Sequence, residues 1–418
     1  MRKIFQITAK DFFRGISSNA YGIRGGILRQ AYGIWPYINP VQGSGLGNEH
    51  MGLLAETDAP TDLTGDVVVD TIKAFTLYTS AVNTSKLYGI GDDGHFYEIN
   101  LVGTPAVSDL RSGTDTISNP SNGLVIYKGK AYYLQTTQVG QWDLSGSYPT
   151  GWDDDWATGL QDYTYHPPHL FADAVWIADK DRISKISGAT PSLTLNVLNF
   201  PSDWRVLCLN DDGRYLVVGV TENLGDINFG TGINKVIFWD TYSPSWNREW
   251  PVPEATIISI VKRGIYLYAI CPKGVYRFNF FSPPKKILSL RSADTPPYGS
   301  AFAADLLLGN CIIWGGTDST KTIQSYGSPV EGYPDAYFVP WVCPSGNPTA
   351  IHANARYPYI FYATDTDKLY YQDITAAETS ANGSRRALFN FVDLGDKYRI
   401  KPVSYTHLRA HETSLHLV

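Results

Sequence analysis

An aromatic-anchored hairpin recurs seven times along the chain, and this repetition limits the fold more than any other feature. Tyr88-Gly-Ile-Gly-Asp-Asp-Gly94 and Tyr268-Ala-Ile-Cys-Pro-Lys-Gly274 carry Tyr, Ile and Gly at the same offsets. Tyr362-Ala-Thr-Asp-Thr-Asp-Lys368 keeps the frame with Lys in place of the last Gly. Each is followed by a second aromatic segment, at Phe96-Tyr97, Tyr276-Arg277-Phe278 and Tyr370-Tyr371. Weaker copies anchor at Tyr133, Trp176, Val218 and Ile313, and successive anchors lie 45, 43, 42, 50, 45 and 49 residues apart. Four strands of about five or six residues with four short turns need that length, which is one blade of a propeller. The expected fold is all-β: a β-propeller of seven blades, each of four antiparallel strands, over residues 51–380. Residues 1–50 form a short Gly-rich arm outside the repeat. The chain before Tyr88 either supplies an outer strand to the last blade or forms a separate element.

Composition agrees. Aromatic residues make up 13% of the chain, with 28 Tyr and 11 Trp, side chains that suit half-buried pleated surfaces. The 38 Gly and 25 Pro fall mostly between apolar runs, as turn residues do. Runs such as Ile257–Val261 and Gly264–Ile270 are apolar without alternation, which fits strands covered on both faces between stacked blades. The net charge of −6 argues against general nucleic-acid binding, which needs a surplus of Lys and Arg. Residues 1–35 nevertheless carry Arg2, Lys3, Lys10, Arg14, Arg24 and Arg29 against Asp11 alone, a local +5 that leaves −11 for the rest. This arm is either a solvated extension or a docking element for an acidic partner, with Arg14, Arg24 and Arg29 as its contacts. No run of about 18 apolar residues exists, so no membrane insertion is expected, and Met1–Phe13 does not read as a signal peptide. Synthesis in a reducing cytoplasm follows, and Cys208, Cys271, Cys311 and Cys343, without a Cys-x-x-Cys pair, are expected as buried free thiols.

A search for chemistry returns loops rather than motifs. There is no phosphate loop, no His-Glu-x-x-His and no Gly-x-Ser-x-Gly elbow, and no catalytic residue, metal site or cofactor is assigned. Trp152-Asp153-Asp154-Asp155-Trp156 sets three carboxylates between two indoles. Consecutive Asp do not converge on Ca²⁺ as alternating ligands do, so the segment reads as an inter-blade loop, or as a glycan or cation contact. His166-Pro-Pro-His169 resembles a metal pair. On a polyproline II path, however, the imidazoles sit roughly 9 Å apart, too far for two nitrogens at ~2 Å from one zinc. Tyr163, Tyr165, His166 and His169 remain as an aromatic, polar candidate loop for ligand contact. Asp92-Asp93-Gly94 and Asp211-Asp212-Gly213 read as turns.

Several resemblances extend this reading. Trp142-Asp143 and Trp239-Asp240 resemble the Trp-Asp ending of WD-type repeats, although the Gly-His pair that opens those repeats is absent. Ile23-Arg-Gly-Gly-Ile27 followed by Tyr32-Gly-Ile-Trp-Pro36 resembles the lead-in of seven-bladed propeller proteins among uncharacterised bacteriophage virion proteins. Pro402–Thr413 resembles a translated sequencing-library adapter. That implies conceptual translation of environmental DNA, with natural coding ending near Lys401 and 402–418 an artefact. Residues 381–401 would then be a closing strand or the start of a truncated domain, and His407, His411 and His416 carry no chemistry. The expectation is a non-enzymatic structural or adhesion component of a bacteriophage tail or neck, binding other virion proteins or a host-surface glycan. It would reside in the virion after synthesis in the host cytoplasm. The alternatives are a carbohydrate-active propeller enzyme and a cytoplasmic protein-interaction scaffold.

Overall fold

The computed structural model describes residues 28–32, 34–35, 55–56, 60–64, 71–79, 85–101, 105–111, 114–146, 148–222, 233–254, 256–290, 304–307, 311–315, 322–327, 335–353, 359–373 and 386–389. These residues form seven blades, each an antiparallel meander of four strands, as the repeat spacing requires. The innermost strands are Ile72–Thr79, Pro120–Tyr127, Pro168–Phe171, Trp204–Asp211, Ser259–Arg263, Ala304–Leu307 and Pro348–Ala353. Each touches the innermost strand of the next blade, and the seventh touches the first, so the ring is closed.

Closure uses a strand from the beginning of the chain. Blade seven takes Pro348–Ala353, Tyr359–Thr364 and Lys368–Asp373 from its own text, and its fourth strand is Thr61–Asp62, which precedes blade one. Leu63 N donates to Leu369 O at 2.9 Å, and the Leu63 side chain packs into the apolar layer between blades one and seven. Lys368 Nζ meets Asp62 Oδ2 at 3.0 Å and donates to Thr64 Oγ1 at 2.9 Å. On the inner ring, Thr349 Oγ1 donates to Ile72 O at 2.7 Å. Blade six is extended instead: Leu28–Tyr32 adds in parallel to Ala336–Val342, and Arg386–Phe389 adds antiparallel to Leu28–Tyr32.

All seven anchor residues sit in the second strand of their blades. They do not all face the same way. Tyr88 and Tyr133 meet between blades one and two, and Trp176 and Val218 between blades three and four. Tyr268 packs toward blade six. A strand buried on both faces has no polar side to fix which residue looks forward and which back, so the repeat preserves the strand and not its facing. The apolar interior is accordingly a set of layers between neighbouring blades. All four cysteines are buried, and Cys208, Cys271 and Cys311, which lie in apolar strands, are free thiols as expected. Burial pushes the Cys208 thiol up to about 12.

The Trp-Asp endings acquire a physical role. Trp142 and Trp239 end third strands, and the Asp that follows each accepts main-chain hydrogen bonds that hold the turn to the fourth strand. Asp143 Oδ1 accepts from Ser145 N at 3.0 Å, and Asp240 Oδ1 from Tyr242 N at 3.0 Å and Ser243 N at 2.8 Å. Lys128-Gly129 makes a tight turn, with φ of 48° and 76°.

If seating of the first-chain strand closes the ring, the apolar residue should matter more than the exposed ion pair. Leu63→Asp is expected to destabilise by about 2 kcal/mol by placing a charge at a partly buried apolar contact, and Asp62→Ala by less than about 1 kcal/mol. Urea unfolding of both variants measures the difference, and equal effects would contradict this account of closure.

Candidate functional site

The Trp152–Trp156 segment, read from sequence as a loop, is the outer strand of blade two, Trp152–Thr158. Three consecutive Asp disfavour strand by propensity, but pairing with Gln138–Trp142 and its bulge overrides that preference. The bulge lies opposite Gly140 and turns Asp154 toward blade one. There Arg111, only 1% exposed, grips the carboxylate with both terminal nitrogens at 2.6 and 3.0 Å. The Tyr133 hydroxyl donates to the same carboxylate. A Cβ at Gly140 would collide with the Tyr133 ring, so glycine is what lets this tyrosine cross the third strand. Arg111 also donates from Nε to Asp115 O at 2.6 Å. Its guanidinium lies 4.2 Å from the Tyr148 ring centroid and 5.0 Å from that of Trp152. Burial acts to raise the Asp154 carboxyl, but the Arg111 and Tyr133 hydrogen bonds outweigh it and hold the carboxyl below its ordinary value. Asp153 and Asp155 point to solvent. Trp152 stacks on Trp142 with centroids 4.8 Å apart, and Trp156 meets Tyr132 edge-on at 5.0 Å.

The second candidate cluster is also built into the seams. Tyr163, Tyr165 and His166 lie on the connection from blade two to blade three. Tyr165 and His166 are buried, and the ring nitrogens of His166 face Ala178 O at 3.0 Å and Thr136 O at 3.2 Å. His169 sits on the inner strand of blade three and meets Asp211 of blade four at 2.9 Å; Asp211 in turn takes Lys262 of blade five at 2.7 Å. Burial acts to raise the Asp211 carboxyl, yet hydrogen bonds from His169 and Lys262 drive it far below the carboxylate range. The two histidines thus serve separate contacts. Arg14 and Arg24 lie outside the described residues, and Arg29 falls within Leu28–Tyr32.

The structure instead places at one end of the ring side chains that the sequence reading did not single out. In a meander, the turns after the first and third strands share one end of the ring. At that end of blades four and five stand Tyr242, Ile265 and Phe281, at 89%, 78% and 80% exposure the most exposed large apolar side chains among the described residues. Tyr242 and Phe281 occupy equivalent places in successive third turns. Trp239-Asp240-Thr-Tyr242-Ser-Pro aligns with Phe278-Asn279-Phe-Phe281-Ser-Pro. Asn279 Oδ1 accepts from Phe281 N at 2.9 Å and Ser282 N at 2.8 Å, repeating the Asp240 turn. The neighbouring Phe280 stacks on Tyr215 with centroids 4.4 Å apart. Arg248 lies 4.5 Å from the Phe280 centroid and donates to Phe280 O at 2.8 Å, while Arg214 lies 5.1 Å from the Tyr215 centroid. Blades four and five are joined by an aromatic and guanidinium layer from which apolar tips project. The shared Trp-Asp and Phe-Asn turn text was the sequence signal for it.

No protein-family model and no curated protein matches the chain. Among solved structures it is similar to the WD40 β-propeller domain of Doa1, with 8% identity, a TM-score of 0.51, and 75% of this chain and 95% of that one covered. It is also similar to the β-propeller domain of Cps50 (Swd1) from Myceliophteria thermophila, at 11% identity and a TM-score of 0.52, covering 75% and 99%. At such identities the likeness establishes the fold alone: the chain is a seven-bladed β-propeller.

Two outcomes follow for the acidic strand. Asp154→Ala leaves the Arg111 charge buried without its partner and should cost about 3–5 kcal/mol, whereas Asp153→Ala, at a solvent-facing position, should stay within about 0.5 kcal/mol. Chemical denaturation distinguishes them. Folding lowers the carboxyls of Asp154 and Asp211, so their stabilisation is complete above the unfolded-state value of about 4 and is lost as the pH falls below it. The thermal midpoint should therefore drop on acidification below about pH 4, and Asp154→Asn should flatten part of that drop.

Proposed function

We propose that the protein is a non-enzymatic binding module whose propeller docks a partner through the turns at one end of blades four and five. The observation that carries this reading is the exposure of Tyr242, Ile265 and Phe281 on turns locked by Asp240 and Asn279. Exposed aromatics cost solubility, and grouped ones mark interaction surfaces. Tyr and Arg are prominent among residues that dominate binding energy. A rigid ring that presents many loops at one end suits contact over a broad surface. Asp154, His166 and His169 support the same reading, because their contacts lie within and between the blades.

The finer assignment, to a bacteriophage tail or neck with other virion proteins or a host-surface glycan as partner, rests on the basic Gly-rich arm and its resemblance to phage propeller lead-ins. Peptide mass fingerprinting of purified particles tests it directly.

A photo-crosslinking residue in place of Tyr242 or Phe281, in the full chain expressed in its own host, should capture a discrete protein. The same residue at Asp153, on the outer edge of blade two, should not. No adduct at either tip, or sugar-chain cleavage by the purified protein that Asp153, Asp154 or Asp155 variants abolish, would overturn the binding-module reading.

A further inference from the structure

The end of blades four and five also carries a charge pattern that narrows the chemistry of its partner. Its carboxylates are committed. Asp212 Oδ1 accepts from Arg214 N at 2.8 Å and Tyr215 N at 2.7 Å, and Asp240 caps its own turn. Asp211 is held by His169 and Lys262, and Asp335 by Arg263 at 2.5 Å. Glu249 meets Lys235 at 3.3 Å. The guanidiniums of Arg214 and Arg248, by contrast, rest over rings, and among the described residues neither forms an ion pair. Lys285, at the start of the outer strand of blade five, is exposed at the same end.

We infer that this end takes an extended protein segment in which carboxylate side chains alternate with apolar ones. The inference rests on the binding-module reading above and specifies its partner. Over an aromatic face, Arg214 keeps its fork for a bidentate carboxylate, and Arg248, with Nη1 on Phe280 O, keeps its Nε and Nη2 edge. Phe281, Tyr242 and Ile265 supply the apolar contacts between such charges. A sugar chain would need free hydrogen-bond acceptors beside the rings, and the carboxylates here are engaged by main-chain amides (Asp212, Asp240) or by basic side chains (Asp211, Asp335, Glu249). A nucleic-acid strand would need a continuous cationic groove along its backbone, whereas Arg214 and Arg248, which form no ion pair among the described residues, are two guanidiniums, each set on an aromatic face.

The test is selection of bead-displayed nonapeptides, randomised over Asp, Glu, Lys, Arg, Phe, Leu, Tyr and Ser, on the full-length protein. A poly-thymidine strand and a mixed glycan array serve as parallel probes. Selected peptides should be enriched in Asp or Glu next to Phe, Leu or Tyr. Their affinity by fluorescence anisotropy should fall about thirtyfold on Phe281→Ala or Tyr242→Ser, as for a truncated aromatic hot spot. It should fall about tenfold on Arg214→Gln, an exposed position that leaves folding intact, and on Arg248→Gln. Selection of basic peptides that depend on the aromatic tips would overturn this inference while leaving the surface an interface. Acidic enrichment unchanged by the arginine variants, or tip-dependent binding of the thymidine strand or a glycan in place of peptides, would also overturn it. If no tip-dependent peptide emerges the inference fails, and crosslinking at Tyr242 and Phe281 then decides separately whether the binding-module reading fails with it.

Discussion

Everything in this molecule depends on ring closure. Each blade is a sheet whose second strand is buried on both faces, and such a sheet is stable only while neighbours cover it. A chain that ended at Asp373 without returning would leave blade seven one strand short and its edge open to other chains. Thr61–Asp62 supplies that strand from the far end of the sequence, hydrogen-bonded in register opposite Tyr371 and Tyr370. The first and last blades are thereby held together by main-chain pairing, by the Leu63 side chain and by the inner-strand contact of Thr349 with Ile72.

Between blades the same problem is solved at smaller scale. Apolar layers supply most of the adhesion, but they carry little information about register. Directional polar contacts supply it at the seams: Arg111 with Asp154, His169 with Asp211, Lys262 with Asp211, Arg263 with Asp335, and Asp305 Oδ2 with Ala353 N at 2.9 Å. This commitment explains why the residues most suggestive of chemistry in the sequence are occupied. Buried charges persist when they are paired, and here the pairing locates one blade against the next. What is left for a partner is the residue set that packing does not use. The turns that carry Tyr242 and Phe281 combine a rigid Asx-capped backbone with side chains that have little to pack against, which is an economical way to hold an aromatic in water.

The contrast between legible and illegible parts has a consistent cause. The seven-fold spacing, the all-β class and the anchor strands follow from local text, because a blade is a local unit of short-range hairpins. The Asp143 and Asp240 caps are local too, and their Trp-Asp signature is visible without coordinates. The Trp152–Trp156 segment reads as a loop in sequence because its place in the strand Trp152–Thr158 depends on Gln138–Trp142 beside it and on Arg111 from the preceding blade. The facing of each anchor was likewise invisible, since both faces of these strands are apolar.

Repeat length, strand-rich composition and turn residues were enough to specify the architecture, because a propeller of seven blades is what they jointly admit. Tertiary structure alone decided how the ring closes, which charges are spent at the seams and which aromatics remain outside. Those outcomes hang on contacts between residues far apart in the chain, such as Asp62 with Lys368 or Arg111 with Asp154, and no local preference encodes which distant partner a side chain will meet.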